Sequence, residues 1–401
     1  MVFVGVDWAE AHHDVCVLDD EGRVLARARI PDSLEGLRRI YSLVADYEPG
    51  DVVIGIEKDR GLIVTALVAA GFALYAINPL SASRYRDRHH VGGSKSDPGD
   101  AKMLADLVRT DRHNHRPVAA DSTLAEALKV LARSHQNLIW ERQRHANVLR
   151  NFLKDYYPSA LEVFSDLTSH DAMAVLTLAP TPSEGLRVSK ARMITALRRG
   201  GRQRNLERKA DEVLAALHSE QLRQPEMLER AYGLSAKSEI AVMEALGVQV
   251  SELEAAMATH FEQHPDAKII RSLPGMGMVL GARVLGEFGD DPNRYADARS
   301  RKNYAGTSPI TRASGRSKVV VARYARNRRL ADALNQWAFC SMNNSPGARR
   351  YYDELRSRDK THTVAIRQLA NRWVGILHAC LERSCLYDEE TAWPVRQDVA
   401  A

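Results

Sequence analysis

The chain has 401 residues and a formal net charge of +5, and 45% of its residues are hydrophobic and 27% are charged. This length exceeds one ordinary hydrophobic core and predicts two or three domains, while the composition excludes the disordered and fibrous classes. The mild basic excess indicates an acidic partner. Because no stretch approaches the ~18 apolar residues of a bilayer span, we expect no membrane helix. We also expect no signal peptide, because the N-terminus has no basic region and Asp7 interrupts its apolar start.

The four cysteines form neither a CxxC pair nor a cluster with the spacing of a zinc site. They are Cys16, Cys340, Cys380 and Cys385. We therefore expect reduced, buried thiols in a cytoplasmic protein.

Strand and helix patterns alternate over residues 1–110. Residues 2–6 are a short β-branched run, and 13–18 and 23–30 are two further predicted strands. The Asp/Gly-rich turn at 19–22 predicts that these two form a hairpin. The pattern continues with a predicted helix at 33–45, a strand at 52–56, a helix at 62–70 and a strand at 72–77. This order is typical of an α/β domain with a mixed sheet covered by helices.

Two basic segments follow this region. We expect a basic loop at 84–95 before a helix that begins at Asp97, and then a long polar helix over 123–155 that Pro158 ends. The candidate nucleic-acid contacts of these segments are Arg84, Arg86, Lys95, Arg142 and Arg144.

Residues 187–261 have a helical pattern with predicted breaks near Pro225 and Gly233. Leucine, valine and methionine recur there at steps of three and four residues, which favours a helical hairpin or a short coiled coil. The alternative is a helical subdomain that dimerises nothing.

Four carboxylates stand at the ends of predicted elements. Asp7 ends the first strand, Glu57 follows the strand at 52–56, and Asp97 and Asp100 share one face at the start of a helix. With the first strand central in the sheet, all four can meet, and their mutual repulsion is relieved by cations. Two Mg²⁺ or Mn²⁺ ions would suit these hard oxygens and could stabilise both the attacking and the leaving oxygen of a phosphodiester.

Each of these acids alone is explained as a turn or helix-start residue, because Asp97, Pro98 and Asp100 also make a favourable helix N-terminus. Their joint placement favours a metal site. We interpret three nearby acids as structural residues of strand or helix surfaces: Glu10, Asp14 and Asp106.

The last predicted domain covers residues 267–388 and is mostly helical. Near its start, the turn at 272–277 precedes a helix predicted at 279–288. Its glycines Gly275 and Gly277 can present backbone N–H groups to a phosphate, as in a helix-hairpin-helix element. A tight turn before a capped helix is the alternative.

A basic segment lies inside this domain. Between Arg294 and Arg329 there are eleven Arg or Lys residues and one acid, a density that favours phosphate contacts. The candidate contacts are Arg312, Arg316 and Lys318. Ser314 lies among these cations and could attack a phosphodiester, with the guanidinium groups stabilising the transition state. A plain Ser-Gly turn is the alternative.

Taken together, these motifs resemble the transposases of insertion-sequence family 110, the Piv/MooV-type enzymes also called bridge recombinases, over nearly the whole chain. In the first half the resemblance is carried by Gly5-Val-Asp7, Glu57, Ile77-Asn-Pro79 and Lys95-Ser-Asp97-Pro-Gly-Asp100-Ala101. In the second half it is carried by Leu273-Pro-Gly-Met-Gly277, Tyr304-Ala-Gly306, Ser314-Gly315 and Tyr351-Tyr352.

The resemblance implies an RNase H-like, RuvC-like nuclease domain at 1–158, a helical coiled-coil dimerisation region at 159–265, a serine transposase domain at 266–390 and a tail at 391–401. It implies that Asp7, Glu57, Asp97 and Asp100 hold Mg²⁺ or Mn²⁺. It also implies that Ser314 is the nucleophile, forming a phosphoserine link with DNA.

The implied partners are donor DNA, target DNA and a guide RNA that pairs with both, at the nucleoid. The resemblance further implies a homodimer that assembles into a tetramer, in which the acids of one subunit act with the serine of another.

The chain departs from the family pattern in two places. Lys58-Asp59-Arg60-Gly61 follows Glu57 where the family often has a small residue and Thr-Gly, and Thr307-Ser308 replaces a more usual apolar residue. Ser308 and Ser317 are therefore competing nucleophile candidates.

The leading hypothesis is an RNA-guided DNA recombinase. The first alternative is a hydrolytic nuclease of the Holliday-junction resolvase type, which would use the four acids and water but not Ser314. The second is a nucleic-acid-binding scaffold without chemistry. Guide pairing would leave no base-reading signature in the chain, so the sequence predicts neither target nor guide.

Overall fold

The computed structural model describes residues 1–89, 97–118 and 121–394. The chain divides into two compact units, Met1–Asp121 with Asp291–Arg294, and Ser122–Asp290 with Tyr295–Ala401. Among the described residues, no helix is long and apolar enough to cross a bilayer. The domain ends expected at 158, 265 and 390 stay predictions.

The first unit is a mixed α/β domain, as predicted. Its strands are β1 (Val2–Trp8), β2 (His12–Leu18), β3 (Val24–Pro31), β4 (Val52–Ile56), β5 (Ala73–Ala76) and β6 (Arg116–Pro117). Its helices are α1 (Leu34–Leu43), α2 (Leu62–Ala69), α3 (Pro79–His89) and α4 (Asp97–Thr110). The sheet has the order β3-β2-β1-β4-β5-β6. Strand β1 is central, antiparallel to β2 and parallel to β4.

The sheet separates two apolar layers. On one face, alternate residues of β1 such as Val4 pack with Ile40 of α1 and Leu67 of α2. On the other face, Phe3 packs with Leu104 of α4. Because side chains alternate along a strand, the continuous apolar run of β1 fills both layers.

The basic loop predicted at 84–95 is wrong for residues 84–89, which belong to α3. Asn78 accepts a hydrogen bond from the backbone N–H of Leu80 at 2.8 Å, and Pro79 begins the helix without an N–H that needs a partner. Charge density suggested a loop, but these side chains lie on a helix whose Ala82 packs into the core. The rest of the predicted loop, including Lys95, lies outside the described residues.

The second unit is mostly helical, as predicted. Its helices are α5 (Thr123–Tyr156), α6 (Pro158–Val163), α7 (His170–Leu178), α8 (Pro182–Gly185), α9 (Lys190–Arg199), α10 (Leu206–Leu217), α11 (Glu226–Gln263), α12 (Ala267–Ser272), α13 (Met278–Phe288), α14 (Ala298–Ala305), α15 (Arg328–Ser341), α16 (Pro346–Ser357), α17 (His362–Glu382) and α18 (Glu389–Ala392). A hairpin of β7 (Ile310–Ser314) and β8 (Ser317–Val321) interrupts them.

Helix α11 runs antiparallel to α5 within the chain. His145 of α5 pairs with Glu239 at 2.7 Å, and His135 pairs with Glu254 at 3.0 Å. The break predicted at Gly233 is wrong, because this glycine lies inside α11. A Cβ there would lie 2.5 Å from Cγ2 of Thr181, so the glycine serves close packing.

The expectation of four buried thiols is half correct. All four cysteines are free, and Cys16 and Cys380 are buried, whereas Cys340 and Cys385 are exposed. Burial raises the pKa of the Cys380 thiol to about 11. This thiol is therefore protonated at neutral pH and is a poor nucleophile.

Candidate active site

Two glycines let α4 lie directly against the sheet. Gly5 and Gly55 are paired across β1 and β4. A Cβ on Gly5 would lie 1.9 Å from the carbonyl oxygen of Ala101, and one on Gly55 would lie 2.5 Å from that of Leu104. No side chain fits at these distances, so the glycines bring the first turn of α4 next to the ends of both strands.

Asp7 and Glu57 stand at the ends of these two parallel strands. Val6 and Ile56 form the last register pair of β1 and β4, and the two acids are the next residues along each strand. Asp7 follows Phe3 and Gly5 in the alternation, which places it on the face that α4 covers. Glu57 follows Val53 and Gly55 in the same way.

Asp100 lies in the first turn of α4 and is held by α3. The Nε and Nη2 atoms of Arg86 both donate to Oδ1 of Asp100, at 3.1 and 2.7 Å. The pair is largely buried, with side-chain exposures of 23% for Arg86 and 9% for Asp100. Arg86 was predicted as a nucleic-acid contact, but its side chain is hydrogen-bonded to Asp100, a predicted metal ligand.

Asp97 lies beside two residues of β2. One ligand atom from each of His12, Asp14 and Asp97 lies within 4.8 Å of the other two. Arg29 of β3 donates from Nη2 to Asp14 at 2.9 Å and lies 3.8 Å from Asp97. The hydrogen bond to Asp14 and the charge of that carboxylate raise the pKa of Arg29, so the guanidinium stays protonated.

The donor set fits a divalent cation. Carboxylate oxygens of Asp14 and Asp97 come together with a ring nitrogen of His12, and of the four predicted acids only Asp97 belongs to this group. Oxygen-rich sets of this kind suit Mg²⁺ and Mn²⁺. The guanidinium groups of Arg29 and Arg86 already oppose the negative charge at two of the carboxylates.

Sequence reasoning missed His12 and did not assign Asp14 to this site. Asp14 is the cross-strand partner of Asp7, and such partners share one face of a sheet. The alternation of His12, Asp14 and Cys16 was visible in the sequence, but the register that sets Asp14 opposite Asp7 was not. Asp106 does have the structural role expected of it, since it accepts hydrogen bonds from Tyr85 and Arg109.

Ser314 lies at the tip of the hairpin in the second unit. It ends β7 opposite Ser317, and Gly315 and Arg316 make a two-residue turn. Gly315 has φ +55°, and glycine at the first position of such a turn is typical of type II′ hairpins. Ser314, Ser317 and Arg312 share one face of the exposed hairpin, whereas Lys318 lies on the other.

The third serine candidate lies outside the hairpin. Ser308 follows α14 and is half-buried, and its backbone N–H donates to the carbonyl of Lys302 at 3.5 Å. Its neighbour Thr307 is buried and donates to Asn371 at 3.0 Å. This hydrogen bond gives the buried Thr307 hydroxyl a partner.

The two glycines of the turn before α13 have different surroundings. Gly275 has φ +76°, and a Cβ there would lie 2.7 Å from the backbone nitrogen of Ser341. Gly277 has open space where a Cβ would stand and caps α13. Packing therefore accounts for Gly275, while Gly277 leaves the N-terminus of α13 accessible to an anion.

The remaining predicted contacts lie on helix surfaces. Arg84 is exposed on α3, and Arg144 on α5 pairs with Glu141 at 2.7 Å. Arg142 lies beside Gly247 of α11, with its Nη1 3.8 Å from where a Cβ would stand. It lines a groove of about 1080 Å³ together with Arg192 and Arg199.

Comparison with known proteins agrees with these motifs. A transposase model matches residues 4–158, and the model of the IS116/IS110/IS902 transposase family matches residues 267–353. The chain is 43% identical to a Streptomyces coelicolor protein named as a transposase of the IS117 mini-circle, over 100% of this chain and 98% of that one. It is 31% identical to the 42 kDa protein of insertion element IS900 from Mycobacterium paratuberculosis, over 97% and 98%. The chain therefore belongs to the IS116/IS110/IS902 family of transposases, which are enzymes of DNA recombination.

Proposed function

We propose that this transposase cuts and rejoins DNA through a RuvC-like acidic site in the first unit and the Ser314 hydroxyl in the second. The observation that carries the proposal is that Asp7 and Glu57 follow the last register pair of β1 and β4, on the face where Gly5 and Gly55 let α4 lie close to the sheet. The order β3-β2-β1-β4-β5, with antiparallel strands first and parallel strands after, supports an RNase H-like assignment.

The carboxylates of Asp7, Glu57, Asp97 and Asp100 would hold the divalent cation, with Mg²⁺ or Mn²⁺ the best match to their oxygens. Bound there, the metal supplies positive charge to the phosphodiester oxygens on which negative charge develops. The protein itself contributes the placement of the acids. The two glycines set the position of α4, and Arg86 fixes one oxygen of Asp100.

Ser314 would act by two transesterifications. Its Oγ attacks the phosphorus, its proton leaves to water, and the departing strand end takes up a proton as a free hydroxyl. A hydroxyl of another strand end then attacks the phosphoserine and restores the serine. One P–O bond forms for each that breaks, so no nucleotide triphosphate is needed.

A hydrolytic nuclease is the second candidate. Among the described residues, Ser314 makes no side-chain hydrogen bond to a general base, whereas all four predicted acids lie in the first unit. Water would then be the nucleophile and Ser314 a turn residue.

A guide RNA and a homodimer assembling into a tetramer complete the proposal. The basic surfaces that carry Arg84, Arg142 and Arg144 can bind the backbone of either RNA or DNA. Guide pairing supplies specificity without base-reading side chains.

The acidic site is tested by Glu57→Gln and Asp97→Asn, with Asp59→Asn as the control because Asp59 is exposed in the loop after Glu57. End-labelled DNA bearing the element ends is incubated with Mg²⁺ and RNA transcribed from the element flank. We expect both site variants to lose strand cleavage and keep RNA binding, and the control to cleave normally. Cleavage retained by Glu57→Gln would contradict the metal-site assignment.

A further inference from the structure

We infer that Arg29 is a further catalytic residue of the acidic site, whose guanidinium binds a non-bridging oxygen of the phosphodiester that is cut. This inference rests on the proposed function, since it needs DNA at the acidic cluster. No motif singled out Arg29, and it joins the site only through the pairing of β3 with β2.

The sheet register places Arg29 at the cluster. Arg29 is the cross-strand partner of Asp14, and Asp14 is the cross-strand partner of Asp7. Directly opposed residues of antiparallel strands share a face, so these three side chains form a row on the face covered by α4. Arg29 also approaches the first turn of α4, 3.8 Å from the Asp97 carboxylate.

Asp14 holds one edge of the guanidinium. The Nε of Arg29 donates to Oδ1 of Asp14 at 3.3 Å, and its Nη2 donates to Oδ2 at 2.9 Å. The Asp14 side chain is only 10% exposed, so the sheet fixes it in place. This two-point contact orients the planar group and reduces the entropy lost when it binds a ligand.

The other edge of the guanidinium is open. Within the described part of the chain, Nη1 of Arg29 makes no hydrogen bond, and the side chain is 55% exposed. Arg86 differs, because its side chain is 23% exposed and both bonding nitrogens contact one oxygen of Asp100. Arg86 is therefore less accessible and serves as a positioning residue, whereas the open edge of the more exposed Arg29 can reach substrate.

The open Nη1 donor of Arg29 can offset electrostatic repulsion between the site and DNA. A DNA phosphate entering beside Asp7, Glu57 and Asp97 meets carboxylates of its own sign. An oriented guanidinium offsets this repulsion, and its donors match phosphate oxygens. It also stabilises the charge that builds up on those oxygens in the transition state.

The test uses Arg29→Gln in the full chain, with Arg23→Gln as the matched control. Arg23 lies near the opposite end of the same hairpin and also pairs with an aspartate, Asp19, at 2.7 Å. Three quantities are compared: the single-turnover cleavage rate on DNA bearing the element ends, the Mn²⁺ affinity of the free protein by calorimetry, and the melting temperature. We expect Arg29→Gln to cleave about 100-fold more slowly, as when an oriented transition-state donor is lost.

The Mn²⁺ affinity of Arg29→Gln should not fall, because the substitution removes a cation beside Asp97. Its melting temperature should change no more than that of the control Arg23→Gln does. A wild-type cleavage rate would overturn the inference. So would parallel losses of Mn²⁺ affinity, melting temperature and rate, which would show that Arg29 only holds Asp14 and Asp97 in place.

A neutral methylphosphonate at the cut position tests the contact itself. It should slow the wild-type protein more than Arg29→Gln, because the variant has already lost one partner of that oxygen. Equal slowing of both proteins would mean that no contact exists. The proposed function is tested separately. It fails if Glu57→Gln still cleaves DNA, whatever the result with Arg29→Gln.

Discussion

Gly5 of the Gly-Val-Asp motif is predicted to be as necessary as the aspartate that follows it. Gly5→Ala would drive a Cβ to within 1.9 Å of the Ala101 carbonyl oxygen and 2.4 Å of the Ala105 nitrogen. Both are backbone atoms of α4, so the helix must move away from β1 and take Asp97 and Asp100 with it. We expect the free energy of unfolding to fall by about 1–3 kcal/mol, the usual cost of overpacking, and cleavage to be lost.

Urea unfolding of Gly5→Ala and Gly50→Ala measures this effect. Gly50 is the control because a Cβ there meets nothing within 4 Å. Equal stability of the two variants, with cleavage intact, would show that α4 does not need to touch β1.

At the residue scale, the sequence predicted the side chains that stand at element ends. Asp7, Glu57, Asp97 and Asp100 were predicted as metal ligands because a strand end or a helix start marks their positions. His12, Asp14 and Arg29 were not, since their membership depends on which residues face one another across three strands. A one-residue shift in that register would turn all three to the other face, and no local pattern specifies it.

Among the elements, α11 has two apolar faces. Residues such as Ile240 and Met243 are buried in the core that α5 helps to form. Met227, Leu234 and Val248 are 86%, 69% and 58% exposed and are spaced by seven and fourteen residues. Heptad spacing aligns them along one stripe, which is typical of a helix that pairs with another.

We predict that this stripe forms the homodimer. If the stripe packs against the same stripe of a second copy, Leu234→Glu combined with Val248→Glu would bury like charges in the interface. The double variant should therefore be monomeric. Light scattering after size-exclusion chromatography gives the mass directly. Leu62→Glu is the control, because Leu62 is an 89% exposed leucine of the first unit. A double variant that remains dimeric would place the interface elsewhere.

Element types followed from periodicity, whereas two local interpretations failed. Charge density at 84–89 suggested a loop, although asparagine and proline at 78 and 79 are good helix-start residues. Gly233 suggested a break, but its position is set by a tertiary contact with Thr181. The β7–β8 hairpin went unrecognised because Gly315-Arg316 is a weak turn signal and its strands carry charged residues rather than an apolar alternation.

At the scale of the whole molecule, the chain combines two compact units, one α/β and one mostly helical. The first places Asp14 and Asp97 beside His12, and the second carries Ser314 on an exposed hairpin. The family assignment covers both halves of the chain. We propose that DNA is cut and rejoined through a covalent link to that serine.

A search for the protein–DNA adduct tests this claim most directly. Wild-type protein, Ser314→Ala and Ser317→Ala are incubated with Mg²⁺, element-flank RNA and end-labelled donor and target DNA, and then run on denaturing gels. Ser317 is the matched control because it lies opposite Ser314 on the same face of the hairpin. We predict a retarded, protease-sensitive band with wild type and Ser317→Ala, and none with Ser314→Ala. Cut DNA without any adduct, formed equally by Ser314→Ala, would contradict serine recombination and support the hydrolytic nuclease.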